Sequence, residues 1–131
     1  MLFRSDLPVT LIHARAEEGG RRPDLRAQYD VAVARAVAAL PVLCEYCLPF
    51  VRVGGRFLAL KGPDADREQE AAARAVTTLG GRVVGVDSLQ LPAAPEQGIE
   101  PMERRLIRID KVRPTPPAYP RPSAKIAKRP L

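Results

Sequence analysis

Residues 29–61 (YDVAVARAVAALPVLCEYCLPFVRVGGRFLALK) contain the pattern that decides the fold. Tyr29–Ala36 is an apolar run of the kind found in strands that are buried on both faces of a sheet. From Leu40 to Val51 the apolar residues recur three and four positions apart, which predicts one face of a helix. Gly54 and Gly55 then turn the chain into Arg56–Lys61, a second predicted strand. Strand, helix and strand in this order indicate an α/β sheet.

The flanking segments extend this pattern. Val9–His13, which is rich in β-branched residues, predicts a strand ahead of it. Downstream, Asp64 and Asp66 favour a helix start, and the helix is expected to end at Gly80. Its apolar stripe comprises Ala72, Ala75, Val76 and Leu79. Arg82–Leu91 and Glu103–Val112 predict two strands with only a loop between them, and therefore an antiparallel pair that closes a five-stranded sheet.

The charge of the chain is concentrated near its C-terminus. The 131 residues suit one compact domain and carry 21 basic and 15 acidic side chains, a net charge of +6. Residues 111–131 hold six basic residues, no acidic ones and six of the 14 prolines. We therefore divide the chain into a partial α/β domain at 1–112 and a basic, proline-rich tail at 113–131. We expect the tail to stay extended, without forming a helix, and to contact the phosphates of a polyanion such as RNA, with these residues as candidates: Arg121, Lys125, Lys128 and Arg129. The competing interpretation is that Tyr119 and the neighbouring prolines pack against the sheet and the tail is structural.

Composition disfavours several classes of protein. No apolar run approaches the roughly 18 residues of a membrane-spanning helix, and the first ten residues lack the apolar core of a signal peptide. Two cysteines form at most one disulfide, which is too few to stabilise a small secreted domain. A reducing cytoplasm is therefore the expected compartment.

Cys44 and Cys47 form a C-x-x-C pattern, which could indicate a redox or metal site. Both cysteines lie on the apolar face of the predicted helix, no second cysteine pair exists, and His13 is far away in the sequence. Buried core cysteines are therefore the favoured interpretation, and we expect no metal site.

Polar side chains follow three predicted strands at the point where each strand ends. Arg15-Ala16-Glu17 comes after the first, Arg35 follows the second and Lys61 the third. Open α/β sheets bind ligands at the carboxyl ends of their strands. Arg35 is the strongest candidate for a ligand-binding residue. It interrupts an apolar run, where burying an unpaired charge would be costly. Arg104-Arg105, which opens the last strand, is compatible with either a solvated edge or a polyanion contact.

A series of short blocks occurs in a fixed order along nearly the whole chain. They are Arg15-Ala16-Glu17, Tyr29-Asp30, Ala34-Arg35-Ala36-Val37, Leu40-Pro41-Val42-Leu43, Cys47-Leu48-Pro49, Gly54-Gly55-Arg56, Ala59-Leu60-Lys61-Gly62, Thr78-Leu79-Gly80-Gly81, Glu103-Arg104, Tyr119-Pro120-Arg121 and Lys128-Arg129-Pro130-Leu131. In these blocks and their separations the chain resembles the bacterial ribosomal RNA small subunit methyltransferase G family (RsmG, also called GidB). Each block is short, but the set is specific.

The resemblance implies a function. Members transfer a methyl group from S-adenosylmethionine to N7 of a guanine in 16S rRNA, on a Rossmann-like class I methyltransferase sheet. Carried over to this sequence, it implies that Ala16 and Glu17 line the adenosine end of the cofactor. Arg35 would bind the cofactor and act as the catalytic residue, with Lys61 and Arg104 near the RNA-facing mouth. The implied partner is 16S rRNA or the small ribosomal subunit, the implied full-length protein is a monomer, and no membrane is involved.

The resemblance covers only the C-terminal portion of the family, because its first strands and glycine-rich cofactor loop have no counterpart in this sequence. We therefore expect a partial sheet, and a chain that is inactive and binds little S-adenosylmethionine on its own. Two alternatives stay open. The chain could be a non-catalytic RNA-associated module with a basic tail, or a decayed gene fragment whose exposed sheet edge promotes aggregation.

Overall fold

The structure, a computed structural model, describes residues 8–35, 38–62, 65–98 and 100–131. Its helices are α1 (Ala16–Gly19), α2 (Leu40–Cys47), α3 (Ala65–Thr78) and α4 (Ser123–Lys128), and its strands are β1 (Tyr29–Arg35), β2 (Val51–Lys61), β3 (Gly81–Leu91) and β4 (Met102–Lys111). Short 3-10 turns span Leu48–Phe50 and Pro95–Gln97. None of the described helices has the length and apolar content needed to cross a membrane.

The strands form one sheet in the order β1-β2-β4-β3. β1 and β2 are parallel, whereas β4 is antiparallel to both of its neighbours. The predicted antiparallel pair is therefore confirmed. β2 begins at Val51 and not at the predicted Arg56, because Gly55 lets the chain pass β1 closely. A side-chain carbon at Gly55 would lie only 2.5 Å from the carbonyl oxygen of Asp30.

Helices α2 and α3 cover one face of the sheet. Phe57 of β2 and Ile109 of β4 are fully buried beneath them. The other core residues are Leu40, Leu43, Cys44, Leu48, Val51, Ala59, Ala65, Ala72, Val76, Leu79 and Ile107. The predicted apolar stripe of α3 is thus confirmed. Gly80 follows α3 with φ of +90°, and a side chain there would meet the carbonyl oxygen of Arg113 at 2.2 Å, so glycine is required at this turn.

The second face of the sheet is only half-buried among the described residues. Strand alternation places Leu58, Leu60 and Leu106 on this face. Two ion pairs cross it, from Arg56 to Asp110 at 2.8 Å and from Arg108 to Asp87 at 3.0 Å. The face is therefore a mixture of leucines and paired charges.

One predicted strand does not form. Val9–His13 has no strand conformation, and its Val9, Leu11 and Ile12 side chains are 50%, 70% and 44% exposed. The prediction of five strands is therefore wrong for the described residues. A strand needs a neighbouring backbone with which to exchange hydrogen bonds, and β-branched composition does not supply one. Ala36 and Asp64, which belong to two other predicted elements, lie outside the described residues.

The C-terminal tail packs against the body of the chain. Ile126 of α4 is fully buried, and the Thr115 hydroxyl donates to the carbonyl of Leu79 at 2.6 Å. The expectation of an extended tail without a helix is therefore wrong. Pro122 precedes the first turn of α4, where a missing backbone N–H leaves no hydrogen bond unmade. The division at residue 112 into a domain and a tail stays a prediction.

Candidate functional site

The sheet brings several of the predicted site residues to one end. β1 and β2 are parallel, so their last residues, Arg35 and Lys61, lie at the same end of the sheet. β4 runs the opposite way and begins there, with Arg105 opposite Lys61 in register. Arg104 is its chain neighbour. Adjacent strands are about 5 Å apart, so this end of the sheet concentrates positive charge.

Lys61 is buried, with only 4% of its surface exposed. Its Nζ donates to the carbonyl of Ala38 at 2.7 Å and lies 2.9 Å from Oε1 of Glu68 on α3. Contact with RNA would require the ammonium group to exchange both partners. In this structure Lys61 joins the end of β2 to α3 and to the residues ahead of α2, while its RNA-binding role stays a prediction.

Arg35 stands exposed at the carboxyl end of β1, with its backbone opposite Leu60. Strand alternation places its side chain on the same face as Val31 and Val33, away from the core beneath α2 and α3. This position agrees with the argument that its charge does not enter the packed interior. Its catalytic and cofactor-binding roles stay predictions.

Arg104 and Arg105 point to opposite faces of the sheet. The Arg104 guanidinium donates to the carbonyl of Glu103 at 3.0 Å. Arg105 pairs with the Glu103 carboxylate at 2.8 Å, and its buried Nε has no hydrogen-bond partner within the described part of the chain. The residues alone left both arginines open between a solvated edge and a polyanion contact, and only the family resemblance implied an RNA contact for Arg104, which stays a prediction. Alternation along β4 was enough to separate the two.

Ala16 and Glu17 lie near the other end of β1. The α1 helix packs beside the turn ahead of β2, where a side-chain carbon on Gly19 would be 3.1 Å from the Phe50 ring. Phe50 in turn meets Tyr29, the first residue of β1, at 6.3 Å between ring centroids. A seven-residue strand spans about 20 Å between Tyr29 and Arg35. Ala16 also lines the groove to which Val31 and Val33 contribute, and the cofactor-binding roles of Ala16, Glu17 and Arg35 stay predictions.

The expectation that Arg15-Ala16-Glu17 follows a strand end depended on Val9–His13 joining the sheet, which it does not do. Glu17 is buried and its carboxylate lies 3.8 Å from Arg15, whereas Ala16 is exposed.

An apolar groove of about 380 Å³ runs beside β1. Ile12 and Ala14 contribute to one part of its lining, and Val31 and Val33 of β1 to another. The aromatic rings of Tyr29, Tyr46 and Phe50 line it further. Among the described residues that line the groove, Arg15 is the only charged one, so the groove is suited to apolar chain and not to a phosphate.

The six cations of residues 111–131 divide into two groups, those that bond to other parts of the chain and those that are exposed. Arg121 makes a two-pronged contact with the fully buried Glu45, at 2.7 Å from Nη2 and 3.0 Å from Nε, which raises the pKa of the arginine. Arg113 donates to the carbonyl of Thr77 at 2.7 Å. Lys125, Lys128 and Arg129 are exposed on and beside α4. Arg121, predicted to bind RNA, is therefore committed to a carboxylate of this chain.

Lys111 is the third of these cations that bonds to another part of the chain. Its Nζ donates to the carbonyls of Leu48 and Val51 at 2.6 and 2.9 Å, and only 2% of the residue is exposed. Burial and the nearby charge of Arg26 lower the pKa of this lysine to about 8. Sequence reasoning missed Glu45, Glu68 and Lys111. The one available signal was Glu45, an acid within a largely apolar predicted helix.

The two cysteines behave as core residues. Cys44 is fully buried and Cys47 is partly buried, and both thiols are free. Burial raises the pKa of Cys44 strongly and that of Cys47 to about 11, so neither is an activated thiolate. No group of three or more potential metal ligands from His, Cys, Asp and Glu occurs within residues 8–35, 38–62, 65–98 and 100–131.

Comparison with known sequences gives a consistent result. Ribosomal RNA small subunit methyltransferase G of Lactobacillus delbrueckii subsp. bulgaricus is 48% identical over 123 residues, which is 94% of this chain and 49% of the relative. The protein of the same name from Acetivibrio thermocellus is 48% identical over 132 residues, which is 100% of this chain and 52% of that relative. The chain therefore spans about half the length of the curated relatives it matches.

Comparison with solved structures supports the expected fold. A candidate methyltransferase from Thermoplasma acidophilum aligns with a TM-score of 0.52 at 10% identity, over 64% of this chain and 39% of that one. The fold is a partial Rossmann-like sheet of the class I methyltransferase type. The model of the family described as rRNA small subunit methyltransferase G, or GidB, matches residues 2–97. This chain belongs to the rRNA small subunit methyltransferase G family.

Proposed function

We propose that the chain forms one half of an rRNA methyltransferase, which transfers a methyl group from S-adenosylmethionine to N7 of a guanine in the 16S rRNA of the small ribosomal subunit. Membership of the family supports the reaction class. The observation in the structure that carries the proposal is Arg35. It is exposed at the carboxyl end of a parallel strand, where open α/β sheets hold their ligands.

The chemistry needs positioning more than proton transfer. N7 of guanine carries an unshared electron pair at neutral pH, so no general base is required to create the nucleophile. Arg35 would orient the reacting groups, and Arg104, half-buried at the same end of the sheet but two strands away, would contact RNA.

The cofactor site is completed outside this chain. The glycine-rich cofactor loop of the family has no counterpart in this sequence, so the described residues do not by themselves enclose the cofactor. We expect the isolated chain to bind S-adenosylmethionine only weakly. Calorimetric titration tests this expectation, and a low-micromolar dissociation constant would contradict it.

Three exposed cations near the C-terminus would support RNA binding without reading sequence. Lys125, Lys128 and Arg129 can each release condensed counterions from RNA, at about 0.7 units of salt slope per contact. Replacing all three by alanine in the completed enzyme should flatten log K against log salt by about 2 units. Arg113→Ala is the control, because its guanidinium is engaged with Thr77 and its loss should leave the slope unchanged.

The decisive test uses a chimera in which this chain replaces its counterpart in the Acetivibrio thermocellus relative, to which it is 48% identical. Transfer of labelled methyl groups to small subunits from a strain lacking the enzyme should be restored. Arg35→Ala should reduce transfer at least a hundredfold, which corresponds to about 2.7 kcal/mol, with little change in melting temperature.

Arg82→Ala is the matched control, because Arg82 is an exposed strand arginine at the opposite end of the sheet. Equal losses of activity and thermal stability in Arg35→Ala would show a structural arginine. RNA binding by a chimera that transfers no methyl group would favour a non-catalytic RNA-associated module.

A further inference from the structure

A largely buried ion pair lies at the carboxyl end of the two parallel strands. Lys61, the last residue of β2, is 4% exposed, and its Nζ lies 2.9 Å from Oε1 of Glu68 on α3. Strand alternation places Lys61 on the face that α2 and α3 cover, together with Phe57 and Ala59. Arg35 lies on the opposite face of the sheet. Lys61 is therefore enclosed by the protein and separated from the arginine that the proposed reaction uses.

The same ammonium group holds the connection between β1 and α2. Its Nζ donates to the carbonyl of Ala38 at 2.7 Å. Ala38 comes three residues after Arg35 and two residues before Leu40, where α2 begins. The backbone of Arg35 is itself paired with Leu60, the chain neighbour of Lys61. Two adjacent residues of β2 therefore fix the connection at both ends, one through its backbone and the other through its side chain.

The start of α2 needs such a restraint. Among the described residues, α2 begins without a capping side chain, because its N-cap residue is Ala39. The Leu43 N–H donates to the carbonyl of Ala39 at 3.0 Å, which makes it a reporter of the first helical turn. The bond from Lys61 to Ala38, one residue before the N-cap, restrains this turn from outside the helix.

We propose that Lys61 and Glu68 form a positioning pair for methyl transfer, in which Glu68 holds the ammonium group and the ammonium group holds the backbone that follows Arg35. The inference rests on the proposed function, because it concerns the same end of the sheet. Open α/β sheets bind their ligands there, and a displacement of about 1 Å in a site can cost about a hundredfold in rate. Lys61 then acts from inside the protein and does not touch RNA.

An RNA contact by Lys61 predicts the opposite effect for Glu68. If the ammonium group left its partners to bind a phosphate, Glu68 would compete with the RNA, and its removal would strengthen RNA binding. If the pair positions the backbone, removal of Glu68 slows methyl transfer and leaves RNA binding unchanged. Replacement of Glu68 therefore separates the two roles by the sign of its effect.

The first measurement needs no methyl transfer. In the 131-residue chain, Lys61→Met removes the donor to Ala38 and keeps an unbranched side chain. The Leu43 amide should then exchange with deuterium about tenfold faster relative to the amides of β4, which report on global stability. Glu70→Ala is the matched control with wild-type exchange, because Glu70 is exposed on the same helix as Glu68. If Lys61→Met does not fold, Glu68→Ala replaces it, with about threefold faster exchange expected.

The second measurement uses the chimera with the Acetivibrio thermocellus relative. Glu68→Ala should lower the single-turnover rate of methyl transfer about tenfold, at a temperature where the variant is fully folded. Its dissociation constant for small ribosomal subunits should match that of the wild type. Lys61→Met should lower the rate at least as much, and the double variant should lose no more than Lys61→Met does, because the two residues act as a unit. Glu70→Ala should transfer at the wild-type rate.

Three results would overturn the proposal. They are unchanged exchange of the Leu43 amide, tighter binding of small subunits by Glu68→Ala, and a lower melting temperature with an unchanged rate, which would leave the pair as a stabilising contact only. A wild-type chimera that transfers no methyl group would count against the proposed enzymatic function instead. Amide exchange would still decide whether Lys61 holds the connection between β1 and α2.

Discussion

The two sides of this molecule differ in how completely their apolar side chains are buried and their polar groups are hydrogen-bonded. On the C-terminal side, Glu45 and Arg121 bond to each other and Ile126 is fully buried. On the β1 side, Val33 and Leu11 are 68% and 70% exposed. Both sides contain large apolar side chains. The comparison shows that apolar sequence produces a closed interior only where another part of the chain lies against it.

Removing the C-terminal side should have the largest effect. Deleting residues 113–131 removes Ile126 and leaves the buried Glu45 without its arginine. Each loss amounts to about 3 kcal/mol, which together approaches the total stability of many single domains. We expect the shortened chain to be unfolded at 37 °C by circular dichroism. A cooperative melting transition above that temperature would show that the tail is dispensable for the fold.

Breaking only the ion pair should have an intermediate effect. Glu45→Ala leaves the Arg121 guanidinium without its carboxylate acceptor. The free energy of unfolding in urea should therefore fall by about 3 kcal/mol. Glu96→Ala is the control, because Glu96 is exposed in the turn at Pro95–Gln97. A loss below about 1 kcal/mol for Glu45→Ala would place this contact among ordinary surface pairs.

Lys111 gives the C-terminal side a pH dependence. Its pKa is lowered to about 8 in the folded chain, against 10.5 as the ordinary value. Below pH 8 both states hold the proton; between about 8 and 10.5 the unfolded state holds more protons. The free energy of unfolding therefore rises with pH there, by up to about 1.4 kcal/mol per unit.

The cysteines oppose this trend above about pH 9, because burial raises the pKa of both thiols and the unfolded chain loses those protons first. Comparing wild type with Lys111→Met cancels their contribution. The stability difference should move in favour of wild type between pH 8 and 9.5 in urea titrations. A difference that stays constant over this range would contradict the assignment.

The smallest effect belongs to the β1 side. Val33→Ala should change the free energy of unfolding by less than about 0.5 kcal/mol, because the side chain is 68% exposed. Ile126→Ala, a buried counterpart on the other side, should lower it by about 3 kcal/mol. Similar losses in the two variants would mean that β1 is covered in the isolated chain and would remove the contrast between the two sides.

Local patterns were sufficient to predict much of the sheet. The apolar run of Tyr29–Ala36, the helical spacing after Leu40 and the stripe of α3 each depend on neighbours within a few residues, and each pattern corresponds to an element that forms. The same local reasoning failed for Val9–His13, which has strand composition but no partner in the described sheet. Strand formation is a property of pairs of segments.

The candidate site was predictable in position but not in detail. Parallel strands explain why Arg35 and Lys61 come to one end of the sheet. Burial of Lys61 depends on Glu68, whose position is set by how α3 packs. The Glu45–Arg121 contact joins residues 76 positions apart, and no periodicity in a single sequence indicates such a partner.

The guanidinium of Arg21 donates to the carbonyl of Pro120 at 2.7 Å, across a separation of 99 residues. Contacts of such long range close late in folding, because the chain between them must lose its freedom first. We therefore expect the hydrogen bond between Arg21 and Pro120 to be absent from the folding transition state. Substitutions at Arg21 should accelerate unfolding and leave the folding rate nearly unchanged, so that this contact governs how long the folded chain persists rather than how quickly it is reached.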